Sequence, residues 1–264
     1  MKSKIKELEE TNLRHAGERV IDLFFSPAEV TEERLRTYRV AVVIDVLRSA
    51  TSIALALANG ARGVIPVSSI SAATLLASQL ARDDVLLCGE RDGKLIDGFH
   101  LGNSPADYTR ERVRGKTLIF GSSNGTPSVV KSSGSGAVFL CGFVNLPAVI
   151  DSMLHESELY PLAVLCSGKL NRFSIEDAVC GGQLIEQLKN RLDGEPNLND
   201  AARSACLMAK DCGEDILGLL NNSDHGRYLV SIGMESDLAD CAAIGVQQVV
   251  PVLNDGKLVK WEVS

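Results

Sequence analysis

Residues 40–46 of this 264-residue chain, Val-Ala-Val-Val-Ile-Asp-Val, form a continuous apolar run that contains one acid, Asp45. A strand without polar alternation is typical of a parallel sheet that helices cover on both faces. A charge inside such a strand is costly unless it is paired, hydrogen-bonded or bound to a metal. Residues 49–59 follow with a helical pattern, and a helix N-terminus attracts anions. The segment therefore predicts a buried strand whose carboxyl end holds a metal and an anion, and it indicates an enzyme.

Short apolar, β-branched runs alternate with helical patterns along the rest of the chain. This alternation predicts an α/β fold, a three-layer α/β/α arrangement with a mixed, largely parallel sheet. Strands are predicted at residues 20–25, 40–46, 63–67, 85–88, 116–120, 137–141, 162–166 and 248–253, and an Asn-Asp-Gly turn leads to a last strand at 257–263. Helices are predicted at residues 49–59, 71–81, 146–154, 174–191, 198–210 and 235–244. We expect a charged N-terminal arm over residues 1–19 and a single domain over residues 20–264.

The composition excludes several classes of protein. A net charge of −7 argues against general nucleic-acid binding, which requires a basic surface. No apolar run reaches the roughly 18 residues of a membrane span, and the charged N-terminus is unlike a signal peptide. The seven cysteines lack Cys-x-x-Cys spacing, so neither a disulfide framework nor a structural zinc site is indicated. We expect a cytoplasmic protein with no nucleic-acid or membrane partner, and the sequence leaves open whether it forms a homo-oligomer.

Polar residues follow the carboxyl ends of four predicted strands, where ligands bind in open α/β sheets. They include Asp45 and Arg48, Glu90 and Arg91, and the Gly-Ser-Ser-Asn-Gly-Thr segment at residues 121–126. We expect these ends to converge on one cleft. Each also has a structural explanation. Asp45 can pair with Arg48, the Glu90 pair can form an exposed turn, and residues 121–126 can be an ordinary loop that leads to a helix capped by Thr126.

Three further sites have two explanations each. Asn103 and Ser104 lie in a long glycine-rich loop and can donate to an anion or cap a turn. Asp177 lies in the first turn of a predicted helix, which favours a structural role about as strongly as a metal-binding one. His225 lies in the most site-like loop among the histidines, although a histidine in such a turn is usually a surface residue.

Taken together, these segments resemble the 2-phosphosulfolactate phosphatase (ComB-like) family over residues 20–254. The most specific matches are Asp-Val-Leu-Arg at 45–48, Gly-Asn-Ser-Pro at 102–105 and Asn-Gly-Thr at 124–126. The chain departs from the family pattern at His100, where the family has Asp, at Ser122 and Ser123, where it has Thr, and at Ser167, where it has Ala. The resemblance implies a magnesium-dependent phosphatase that hydrolyses 2-phospho-3-sulfolactate to 3-sulfolactate and phosphate, a step of coenzyme M biosynthesis.

The residues are consistent with such chemistry, which needs positioning and charge neutralisation. Asp45 is the first candidate for metal ligand or nucleophile, and Arg48 and Arg91 are expected to hold the anionic groups of the substrate. The catalytic candidates are Asp45, Arg48 and Glu90, and the metal candidates are Asp45, Glu90 and Asp177, with Mg²⁺ as the cofactor. The substrate-binding candidates are Ser49, Thr51, Arg91, Asn103, Ser104, Ser122, Ser123, Asn124, Gly125 and Thr126.

Two other hypotheses stay open at this point. Cys166 and Arg172 have the Cys-x5-Arg spacing of cysteine-dependent phosphatases, in which a thiolate attacks phosphorus. Leu165 stands where that class usually has His, and the following helix is predicted to begin at Ser174, too late to include Arg172. The second hypothesis is a non-catalytic anion-binding protein of the same fold.

Overall fold

The computed structural model describes residues 19–80, 84–155, 159–192 and 194–262, and these ranges contain eleven strands and eleven α-helices. The strands are β1 (Val20–Phe24), β2 (Val40–Ile44), β3 (Gly63–Val67), β4 (Val85–Arg91), β5 (Lys94–Leu95), β6 (Thr117–Gly121), β7 (Ala137–Cys141), β8 (Leu162–Cys166), β9 (Asn197–Leu198), β10 (Pro251–Asn254) and β11 (Lys257–Lys260). The helices are α1 (Glu32–Leu35), α2 (Ser49–Ala58), α3 (Ile70–Ser78), α4 (Arg110–Val113), α5 (Gly125–Ser132), α6 (Leu146–Leu154), α7 (Ile175–Lys189), α8 (Asp200–Cys212), α9 (Ile216–Asn222), α10 (Asp224–Ser231) and α11 (Ser236–Ala242).

One eleven-stranded sheet, in the order β5-β4-β6-β3-β11-β10-β7-β2-β8-β1-β9, forms the middle layer. Strands β4, β6 and β3 form one parallel block, and β7, β2, β8, β1 and β9 form a second. The predicted terminal hairpin, β10–β11, lies between the blocks and pairs antiparallel to both. The predicted three-layer α/β/α fold with a mixed, largely parallel sheet is confirmed.

Strand β2 lies inside the second block and is buried on both faces, as its apolar run predicts. Alternate side chains enter two different hydrophobic cores. Val42 and Ile44 pack in one core with residues of α6, α7 and α8, whereas Ala41 and Val43 pack in the other with residues of α2. Helices therefore cover both faces of β2. A polar group is accommodated at the carboxyl end of the strand, where Asp45 follows.

Several predicted boundaries differ from the observed ones for local physical reasons. The strand predicted at 85–88 extends to Arg91 because Glu90 and Arg91 pair with β5. The helix predicted at 198–210 begins at Asp200 because Leu198 pairs with β1 and the Asn199 side chain caps the helix by accepting the N–H of Ala202. Residues 1–18 of the predicted arm, and the predicted element ends at 81 and 263, lie outside the described residues.

The short elements β5, β9, α1, α4, α9 and α10 are not predicted by the sequence pattern. Helices α9 and α10 begin at polar caps, where the side chains of Asp215 and Ser223 accept backbone N–H groups. These helices have only seven and eight residues, which is too short for a clear helical period in the sequence. Among the helices that the structure describes, none has the length and apolar character needed to cross a membrane.

Candidate active site

The loops that follow β2, β4, β6 and β8 line one cavity of about 180 Å³, so the four strand ends that were expected to converge do meet. Contacts between the two blocks hold the cavity together. The side-chain oxygen of Asn124, after β6, accepts the N–H of Leu170, after β8, at 2.8 Å. The lining side chains come from residues Asp45, Leu47, Arg48, Ser49, Glu90, Asp92, Asn103, Ser122, Ser123, Asn124, Lys169, Leu170, His225 and Tyr228.

Asp45 is 4% exposed and sits where β2 meets α2. Its Oδ1 accepts the N–H of Ser49 at 3.1 Å. Burial raises the pKa of Asp45, the bond from Ser49 and the charge of His225 lower it, and the charge of Glu90 raises it further, so the net change is upward. Gly125 makes the position of Asp45 sterically accessible, because a Cβ on Gly125 would lie 2.1 Å from Oδ2. The result is a buried carboxylate held against the first residue of α5.

Arg48 lies in the cavity wall with 2% of its side chain exposed. One terminal nitrogen donates to Oδ2 of Asp237 at 2.6 Å, and the other donates to the carbonyl oxygen of Gly93 at 2.8 Å. The second oxygen of Asp237 accepts the hydroxyl of Ser104 at 2.6 Å. A guanidinium has five N–H donors, so these two bonds fix its orientation and leave other donors for a ligand.

Glu90 organises the loops on the opposite wall. Its Oε1 accepts the N–H of Ser123 at 2.7 Å, and its Oε2 accepts the N–H of Gly93 at 2.7 Å. The hydroxyl of Ser123 lies 3.3 Å from the same Oε2. The carboxylate therefore ties the β4–β5 turn to the loop after β6 while it lines the cavity with Asp45.

The loop after β6 is closed by Thr126, which is fully buried. Its hydroxyl accepts the N–H of Ser122 at 2.9 Å and donates to the carbonyl of Val67 at 2.8 Å, and its own N–H donates to the Ser122 hydroxyl at 3.0 Å. These bonds hold the backbone of residues 122–124 at the N-terminus of α5. Thr126 itself does not line the cavity, and the N-cap of α5 is Asn124 rather than the predicted Thr126.

The structure does not bring Asp177 to the cavity. Its two carboxylate oxygens accept the backbone N–H groups of Val46 and Gly168, each at 2.9 Å, and 3% of the residue is exposed. Burial, and then the charges of Glu176 and Asp45, raise its pKa well above the usual range. Asp177 therefore joins the ends of β2 and β8 from behind the cavity, and its predicted place among metal ligands is not supported.

Other predicted residues also lie away from this cavity. Arg91 is exposed and borders an adjacent cleft of about 70 Å³, which shares Glu90, Ser122 and Ser123 with the cavity. Thr51 is buried in α2, and the Ser104 hydroxyl is bound to Asp237. His100 has a structural role, because its Nδ1 accepts the N–H of Leu87 at 2.9 Å at the edge of β4.

The geometry does not support the cysteine route. Cys166 is fully buried and lines none of the cavities described above, and Arg172 is exposed. Burial, with the charges of Asp177, Glu29 and Glu176, raises the pKa of Cys166 well above that of a free thiol. The helix begins at Ile175, so Arg172 lies outside its first turn. A buried neutral thiol is a poor nucleophile.

Sequence reasoning assigned no role to Lys169, Tyr228 or Asp237, and it favoured the surface for His225. His225 instead lies in α10 and lines the cavity, with 13% of its side chain exposed. The Nζ atom of Lys169 lies 4.2 Å from the centre of the Tyr228 ring, and both side chains line the cavity. Of the three residues without an assigned role, Lys169 is the one that a sequence signal marks, because it directly follows Cys-Ser-Gly at the end of a buried strand.

The cavity contains oxygen donors of the kind that Mg²⁺ prefers. Among the described residues, no three His, Cys, Asp or Glu side chains are grouped as a metal site. Mg²⁺ often binds through only one or two carboxylates, with water and phosphate oxygens as its other ligands. Asp45 and Glu90 supply two carboxylates, and Oδ1 of Asn103 is a buried amide oxygen with no hydrogen-bond partner. This set of oxygen donors fits a hydrated hard cation.

Comparison with known proteins gives a consistent family assignment. A family model described as "2-phosphosulpholactate phosphatase" matches residues 24–256. A probable 2-phosphosulfolactate phosphatase of Symbiobacterium thermophilum is 39% identical over 224 residues, which cover 85% of this chain and 95% of the relative. Proteins with the same name from Clostridium beijerinckii and Thermotoga maritima are each 33% identical, over 90% and 92% of this chain and 98% and 99% of the relatives. The chain belongs to the 2-phosphosulfolactate phosphatase family, a family of phosphoric monoester hydrolases.

Proposed function

We propose that the protein is a magnesium-dependent phosphatase that hydrolyses 2-phospho-3-sulfolactate, or a related small phosphorylated hydroxy acid, to 3-sulfolactate and phosphate, as in coenzyme M biosynthesis. The observation that carries the proposal is the cavity in which the carboxylates of Asp45 and Glu90 meet the fixed guanidinium of Arg48. The names of the relatives, which are probable phosphatases for this substrate, support the choice of substrate.

The chain's own residues would bind and orient the phosphoryl group. Arg48 has free N–H donors for phosphate oxygens, in a guanidinium that Asp237 holds in place. The loop that ends at the N-terminus of α5 adds hydroxyl groups and backbone amides, a favourable setting for an anion. Asp45 either attacks phosphorus or acts through a bound cation, and both routes are compatible with its burial beside Ser49.

Mg²⁺, when bound, would be held by Asp45 and Glu90, with Asn103 as a further oxygen donor, and would neutralise charge on the phosphoryl oxygens. Lys169 is a suitable partner for the sulfonate or carboxylate of the substrate, because it lines both this cavity and the adjoining larger groove. In this account Lys169 takes the role that the sequence suggested for Arg91, which borders a different cleft.

The test is phosphate release from a panel of phosphorylated 2-hydroxy acids that carry a sulfonate, a second carboxylate or neither. We expect the highest kcat/KM for 2-phospho-3-sulfolactate, complete loss of activity with EDTA, and recovery with Mg²⁺. Activity that resists EDTA would contradict the magnesium requirement. No turnover of any substrate by folded protein would contradict the phosphatase assignment and favour a non-catalytic anion-binding protein.

A further inference from the structure

His225 lines the cavity and contacts a buried acid, Glu176. It comes from α10 and lines both the cavity of Asp45 and Arg48 and the larger groove beside it. Its Nδ1 lies 3.5 Å from Oε1 of Glu176, at the start of α7. This contact leaves Nε2 as the nitrogen available to a ligand in the cavity.

Glu176 is a buried acid that the proposed mechanism does not otherwise use. Only 2% of its side chain is exposed, and its Oε1 has no hydrogen-bond partner within good geometry. Burial raises the pKa of Glu176, but contact with His225 and the positive charge of that ring lower it, and the net change is downward. A buried carboxylate beside an imidazole orients the ring and sets which of its nitrogens faces a ligand.

The surroundings of His225 are mixed in charge. Asp45 comes from the loop after β2, Glu176 from α7, and Lys169 from the loop after β8, while Asp224 precedes it on its own helix. Both acids that face it from other elements, Asp45 and Glu176, are buried. The site thus offers an N–H donor at the cavity, in a place largely shielded from water.

The proposed substrate makes a specific demand on the site. Its leaving group is the alkoxide of a secondary alcohol, which is a strong base and departs slowly unless it receives a proton. We propose that His225 is the general acid that protonates this oxygen and that Glu176 is the positioning residue that orients His225; the inference rests on the proposed phosphatase function.

The step balances in atoms and charge. The bond between phosphorus and the alcohol oxygen breaks, its electron pair stays on that oxygen, and the proton on Nε2 of His225 moves to the same oxygen to give the neutral alcohol. The oxygen of water forms the new bond to phosphorus, directly or by hydrolysis of an acyl phosphate on Asp45. The proton that this water releases returns to His225, so the products are the alcohol and hydrogen phosphate.

The test compares two leaving groups. An aryl phosphate such as p-nitrophenyl phosphate has a leaving group that needs no protonation, whereas 2-phospho-3-sulfolactate releases an alkoxide. In His225→Gln we expect kcat/KM to fall by about 10²-fold or more for the alkyl substrate and by less than about tenfold for the aryl one. Glu176→Gln should show the same selectivity with a smaller loss. The matched control is His155→Gln, since His155 is exposed at the end of α6 and lines neither the cavity nor the larger groove.

The outcomes separate this inference from the proposed function. Selective loss on the alkyl substrate in folded His225→Gln, with His155→Gln unchanged, supports the general acid. Equal losses on both substrates, or no loss, overturn it while the phosphatase function stands. If the wild-type protein hydrolyses neither substrate, the proposed function fails and the inference fails with it. If His225→Gln does not fold, as judged by circular dichroism, the same criteria apply to Glu176→Gln.

Discussion

The guanidinium of Arg48 and the carboxylate of Asp237 form an ion pair at 2.6 Å in which both side chains are at least 98% buried. The pair joins the loop after β2 to α11, near the end of the chain. Its value to the site is orientation, because Arg48 lines the cavity and is fixed from behind. A buried pair of this kind contributes little to the stability of the protein compared with an apolar replacement. Loss of one partner, however, leaves the other charge buried and unpaired.

Asp237→Asn should therefore destabilise the protein by about 3 kcal/mol and lower turnover as well, because Arg48 stays buried without its counter-charge. Asp240→Asn is the matched control, since Asp240 is an exposed acid on the same helix. Urea unfolding of both variants measures the difference. Equal stabilities would show that the pair does not hold Arg48.

Gly125→Ala should lower kcat by about 10²-fold, because the added Cβ would lie 2.1 Å from Oδ2 of Asp45 and displace that carboxylate. Gly121→Ala, at the end of β6, is the control, since the nearest neighbour of its added Cβ would be a Val67 methyl at 3.5 Å, an ordinary contact. Steady-state kinetics of the two variants decide the point. If Gly125→Ala turns over at the wild-type rate, the observed position of Asp45 is not the one that catalysis requires.

Cys166→Ala should keep turnover within about tenfold of wild type, and iodoacetamide at neutral pH should leave the activity intact, because the thiol is buried and its pKa is raised. Cys212 is only partly buried and serves as the internal control for the reagent. Mass spectrometry identifies the alkylated residues. Loss of activity in step with alkylation of Cys166 would restore the thiolate mechanism.

The sequence was sufficient to predict nine of the eleven described strands, the mixed sheet and the meeting of four strand ends. The apolar run before Asp45 made this possible. An acid that follows a strand buried on both faces lies at the carboxyl end of that strand, where ligands bind in open α/β sheets. It also indicated Arg48 and Glu90, both of which line the cavity.

The partners that complete the site could not be predicted in the same way. Asp237 lies in a short helix near charged residues, and its two partners, Arg48 and Ser104, are 189 and 133 positions away in the chain. His225 lies in a helix too short to show a period, next to charged residues typical of a surface. The partners of Asp177 could not be predicted either, since they are backbone N–H groups, which leave no mark in a sequence.

Asp177→Asn should leave kcat within about tenfold of wild type in the folded protein, because Asp177 does not line the cavity. Turnover at saturating Mg²⁺, with folding checked by circular dichroism, measures this. A loss beyond about 10²-fold that excess Mg²⁺ reverses would return Asp177 to the metal ligands.

The most direct test of the account is kcat of Asp45→Asn for the best substrate of the panel, in Mg²⁺ and beside the wild-type protein. Asn keeps the oxygen that accepts the N–H of Ser49 and removes only the buried charge. We predict a loss of at least about 10³-fold at near-normal stability, because the carboxylate supplies the charge on which either route depends. Turnover near the wild-type rate would remove Asp45 from the mechanism and contradict the assignment of this cavity as the active site.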